Sequence, residues 1–116
     1  MTRTVTIDGR EVTFRASASI PRLYRIKFHR DIMQDMVRIK NAVETANAGD
    51  SPIPMECLEL FENVAYLMAK HADKLLPSTV EEWLDGFDTF SIYAVFPVIS
   101  EMWNENVRTM SVPAKK

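Results

Sequence analysis

The amino-acid sequence predicts an α+β fold, mostly α, in which an N-terminal β-hairpin packs on four to five helices. Three observations carry this. Asp8-Gly9 stands between two runs that alternate apolar with polar residues, the strongest short-range sign of a hairpin. From Met55 onward, apolar residues recur at steps of three and four, the period of a helix with a buried face. The chain has 116 residues, 47% of them hydrophobic, which suffices for one domain with its own core and no disulfide or metal. A single domain over residues 1–116 is therefore expected, with a frayed tail from about residue 109.

The hairpin comes first. In residues 4–8, Val5 and Ile7 point one way and Thr4 and Thr6 the other. In residues 10–15, Val12 and Phe14 alternate against Glu11, Thr13 and Arg15. Gly9 supplies the positive φ that a two-residue turn needs. An isolated hairpin is marginal in water, so its apolar side must rest on helices.

Ser19-Ile20-Pro21 reads as a helix start, with Ser19 as N-cap and Pro21 in the first turn. Ile20, Leu23, Tyr24 and Phe28 follow at helical spacing, and the helix is expected to end near His29 or Arg30. Asp31 then caps or opens a second helix over residues 32–46, with apolar positions Ile32, Met33, Met36, Val37, Ile39 and Val43. One continuous helix over residues 20–46 is the alternative. Residues 47–54 form a loop. Residues 55–71 form the central helix, with Leu58, Phe61, Val64, Ala65, Met68 and Ala72 in its stripe. Ser78 with Glu81, or Thr79 with Glu82, can make a capping box for a short helix over residues 80–86, closed by Gly86. Residues 91–107 are apolar nearly all round, so this last helix is buried or docks a partner, and Pro97 should kink it.

Composition narrows the function. No apolar run approaches the roughly 20 residues of a membrane span, and residues 1–10 lack a signal-peptide core. The lone Cys57 has no partner for an internal disulfide and fits a reducing compartment. Charge is uneven: residues 1–40 carry nine basic against four acidic groups, a net of +5, and the rest carry a net of −7. Such asymmetry suits a nucleic-acid face, packing between the halves, association of copies, or simply a solvated surface.

Catalytic chemistry is missing. Cys57, His29 and His71 are too few and too scattered for a zinc set. Glu81, Glu82 and Asp85 read as first-turn and solvent-face acids, and the glycines stand alone at positions 9, 49 and 86, so no phosphate loop exists. No catalytic, cofactor or metal residue is expected, and a non-enzymatic role follows. The seven methionines are mainly core, yet Met33 and Met36 lie beside the basic segment, and methionine-rich surfaces adapt to varied apolar helices. Arg22, Arg25, Arg30, Met33 and Met36 are therefore the candidate partner-binding residues.

The order of several segments resembles one family. Thr6-Ile7-Asp8-Gly9-Arg10-Glu11-Val12-Thr13-Phe14-Arg15, then Arg25-Ile26-Lys27-Phe28-His29-Arg30-Asp31, then Glu62-Asn63-Val64-Ala65-Tyr66 with Met68-Ala69-Lys70, then Glu81-Glu82-Trp83-Leu84-Asp85-Gly86-Phe87, stand in that order. Together, over residues 4–105, they are similar to the tail assembly chaperones of long, non-contractile-tailed bacteriophages of Gram-positive hosts or their prophages. His29 departs from the pattern, which expects a small residue, often Gly, between the two helices.

The resemblance implies a protein that binds the tape measure protein during tail assembly, keeps it soluble and helps recruit tail tube subunits. It implies action in the host cytoplasm and absence from the mature virion. In many such phages a frameshifted, longer form contacts the tube protein, and the terminal Lys115-Lys116 pair fits a slippery adenine-rich run. Self-association is open, and neither a nucleic acid nor a membrane is implied. The alternative is a small DNA-binding regulator using the basic helix from Ile20 to Arg30.

Overall fold

The computed structural model describes residues 1–49 and 52–111, and the side chains of residues 109–111 are outside the description. In chain order it holds β1 (Thr2–Ile7), β2 (Arg10–Arg15), α1 (Ile20–Phe28), α2 (Ile32–Asn47), α3 (Met55–Ala72), α4 (Val80–Leu84) and α5 (Ile92–Ser111). This is the expected mostly-α arrangement of one hairpin on five helices.

The hairpin pairs Ile7 with Arg10 and runs back to Thr2 opposite Arg15. Asp8 and Gly9 both take positive φ, 54° and 75°, which matches the twist of the flanking strands. Ile7, Val12 and Phe14 are buried and Val5 is partly so. The register also places Arg3 opposite Phe14 and Arg10 opposite Ile7, on the inward side. From there Arg3 reaches Glu101 of α5 at 3.0 Å. Arg10 sits 4.4 Å over the Phe87 ring and donates to the Gly86 carbonyl.

Two helices, not one, follow. His29 adopts the left-handed conformation, φ 58°, and its N–H closes α1 on the Arg25 carbonyl at 2.8 Å. That is the backbone state a glycine would take most readily, so the residue departs from the expected type but not from the expected geometry. Asp31 caps α2 by accepting the Met33 N–H at 2.8 Å. Ser19 occupies the N-cap position of α1 without capping it: its hydroxyl pairs with that of Ser17 at 2.9 Å. Of the six apolar positions expected on α2, Ile32, Met36, Ile39 and Val43 are buried, whereas Met33 and Val37 face outward.

Helix α3 is central and packs against β2 and every other helix. Phe61, Val64, Ala65 and Met68 are buried as expected, Leu58 and Ala72 only partly. Leu60, Tyr66, Leu67 and Ala69 join them, because α1, α4 and β2 cover the remaining faces of its second half. Thr79, not Ser78, caps α4: its hydroxyl accepts the Glu82 N–H at 3.1 Å and donates to the Glu82 carboxylate. Helix α4 ends at Leu84, two residues before the expected stop. Gly86 serves close approach instead of capping, since a Cβ there would lie 3.2 Å from the Arg10 guanidinium. Around it Trp83, Phe87 and Phe90 pack at 5.1 to 5.5 Å between ring centres.

Helix α5 runs through the exposed Pro97 to Ser111, with Ile92, Val95, Phe96, Ile99, Met102 and Trp103 buried. Its backbone is helical to Ser111, and residues 112–116 of the expected frayed tail lie outside the described residues. Its Asn106 donates to the Ser17 carbonyl at 3.0 Å, which ties the end of the chain to the connector after the hairpin. Among the described residues, no helix is long and apolar enough to cross a membrane.

Candidate functional site

The five sequence-predicted residues fall into two depressions on either side of the first turns of α2. Arg22, Arg25 and Arg30 line a cleft of about 460 Å³ between α1 and the start of α2, together with Ile26, which is 64% exposed. Met33 and Met36 line a separate groove of about 470 Å³ between α2 and α5. The structure thus does not bring the arginines and methionines into one site.

The arginines are unequal. Arg30 forks onto Asp35, Nε to Oδ2 at 2.8 Å and Nη2 to Oδ1 at 2.9 Å. Tyr24 donates to the same carboxylate. Burial alone raises the acid's pKa, but these hydrogen bonds and the Arg30 charge outweigh it and hold the carboxyl below the usual range. Burial, then the bond to the Asp35 carboxylate, pushes the Tyr24 phenol upward. Arg30 therefore serves first to fix α1 on α2, and Arg22 and Arg25 are the cations the cleft presents to solvent.

The α2–α5 groove is built from two matching faces. Met33, Met36, Val37 and Lys40 stand at steps of three, four and seven along α2, which is one face of a helix. Trp103 and Val107, with Arg108, are similarly spaced on α5. Met36 and Trp103 are buried and form the floor; Met33 at 44% and Val37 at 57% exposure form a wall. The sequence marks Val37 as apolar and the last helix as buried or partner-docking, but it does not place the two side by side. The available signal was that Val37 lies four residues after Met33, on the same stripe.

Other polar clusters are poorer candidates. Ser17 Oγ and His71 Nε2 are 2.9 Å apart, the spacing of a nucleophile and its base. His71 Nδ1, however, has no hydrogen-bond partner among the described residues, so nothing fixes the tautomer such a relay needs. Burial and the nearby Arg15 and Lys74 charges lower the His71 pKa. Cys57 is half-buried, and burial raises its thiol pKa, the opposite of an activated nucleophile. Among the described residues, no three His, Cys, Asp or Glu side chains are placed to hold a metal ion.

Comparison with family models, curated proteins and solved structures finds no match to this chain.

Proposed function

We propose that this chain is a non-enzymatic tail assembly chaperone that binds the tape measure protein and helps recruit tail tube subunits. The observation that carries the reading is the exposed apolar pair Met33 and Val37 beside buried Met36 and Trp103 in the α2–α5 groove. A tape measure is a long, largely helical protein, and an apolar groove between helices is a common seat for an amphipathic helix. The sequence resemblance described above supplies the biological setting. In that setting the protein acts in the host cytoplasm and leaves before the virion is complete.

Co-expression with the cognate tape measure protein tests this. The tape measure should become more soluble and should co-purify with this chain, and mass spectrometry of purified virions should not find it. Equal tape measure solubility with and without this chain removes the proposal. Tight duplex-DNA binding at physiological salt would instead favour the regulator built on the basic helix from Ile20 to Arg30. Two of that helix's cations are already engaged, Arg30 with Asp35 and Lys27 with the Ser78 carbonyl.

A further inference from the structure

We infer that the α2–α5 groove takes an amphipathic helix of about two turns whose apolar stripe is flanked by carboxylates. The inference deepens the chaperone reading and rests on it for the identity of the natural partner. The groove itself argues for the chemistry. Met33 and Lys40 stand seven residue steps apart on α2, roughly 10 Å at the rise of a helix, which matches apolar anchors at positions i, i+4 and i+7 of an occupant. The floor is buried Met36 and Trp103, and the wall is exposed Met33 and Val37, a mixture of rigid and adaptable side chains.

Charge selects among occupants. Lys40 and Arg108 stand at the margin, one from each helix, and among the described residues no carboxylate lines the groove. Neither cation is in an ion pair among the described residues. Arg38, on the outer side of the same wall, is already matched by Glu56 at 3.2 Å. A helix with acidic residues beside its apolar stripe meets both unpaired cations; one with basic flanks meets like charge on both sides. A contact of two turns is small, so one site binds weakly, and a partner that repeats the motif gains through several bound copies.

The test uses the full chain and two fluorescein-labelled helical peptides of about 16 residues. Both carry leucine at the anchor positions; one has glutamate flanks and the other lysine flanks. The glutamate peptide should bind saturably and at least about tenfold tighter than the lysine peptide at low salt. Val37→Asp should weaken that binding by roughly tenfold or more, with the circular dichroism melt unchanged because Val37 is exposed. Lys40→Glu combined with Arg108→Glu should invert the preference between the peptides. Equal binding of both peptides, or binding indifferent to Val37→Asp, overturns the inference. So does self-association of the free protein that Val37→Asp abolishes, which would make the groove a contact between copies. If the glutamate peptide binds as expected and the tape measure protein does not, the chaperone reading fails and the groove's specificity stands. If the tape measure binds Val37→Asp as well as the unaltered chain, the groove proposal fails alone.

Discussion

Tyr24 and Asp35, on consecutive helices, meet through a 2.7 Å hydrogen bond in which the phenol donates to a carboxylate only 1% exposed. With Arg30 on the other side, the carboxylate fixes the angle at which α1 leaves α2. The cleft depends on that angle, since α1 and the start of α2 both line it. Asp35→Ala should cost about 2–3 kcal/mol in urea unfolding. The figure stays below that for a fully buried ion pair because Arg30 remains 41% exposed and can turn to water. A loss under about 0.5 kcal/mol would mean the network adds nothing beyond solvation.

The same carboxylate predicts an acid limit. Its pKa in the folded protein lies below the ordinary value, so the unfolded chain binds the proton more readily. The stabilisation is complete above the unfolded pKa, about 4, and is lost as pH falls through the folded one. Unfolding free energy measured from pH 5 down to pH 2 should therefore fall more steeply for the natural chain than for Asp35→Asn. Parallel curves would contradict this.

Core truncation should separate two neighbours on α3. Phe61 is 1% exposed and packs against Phe90 at 5.5 Å, so Phe61→Ala should cost about 3–5 kcal/mol. Leu58, one turn earlier and only partly buried, should cost no more than about 2 kcal/mol when changed to Ala. Chemical denaturation of the two variants checks the order, and a reversal would show that the burial gradient along α3 is misassigned.

His29→Gly should stabilise the protein by about 0.5 kcal/mol. An L residue held at φ 58° is strained, whereas glycine takes this backbone freely but gains entropy in the unfolded chain. Relief of the strain is the larger of the two, so the urea midpoint should rise, and a lower midpoint would contradict this. His29→Ala keeps the strain and should not stabilise.

Charge reversal at Arg22 and Arg25 tests the α1 cleft separately from the groove. Both side chains are exposed, so the thermal midpoint should hardly move. Weakened tape measure binding is the expected outcome and would place the cleft in the contact. Unaltered binding would leave these arginines as solvated surface.

The parts most legible in sequence were those fixed by local chemistry. Asp8-Gly9 specified the turn, Asp31 the second helix start and the Ser78-Thr79 pair the start of α4, because each needs only neighbours within a few residues; which of the two hydroxyls caps α4 stays open in the sequence. What depends on distant neighbours was harder to read. Periodicity marked Met33 and Val37 as apolar but could not show that both face outward beside α5. Gly86 looked like a cap because nothing local reveals Arg10 across the fold. Arg30 read as a candidate partner-binding cation, because nothing local shows that the turn at His29 brings it back onto Asp35.

The bonds that secure the hairpin join the two ends of the sequence. Asp8 accepts the Asp88 N–H, Arg10 reaches Gly86, Arg3 reaches Glu101 and Ser17 holds Asn106, across separations of 76 to 98 residues. A ribosome adding about 5–20 residues per second delivers the second partner on the order of 5–20 seconds after the first. Throughout that interval β2 can rest on α3, but β1 has no α5 to pack against. Synthesis therefore leaves the first strands waiting on the last helix, and a nascent chain stalled before residue 92 exposes the apolar surface that the finished fold covers.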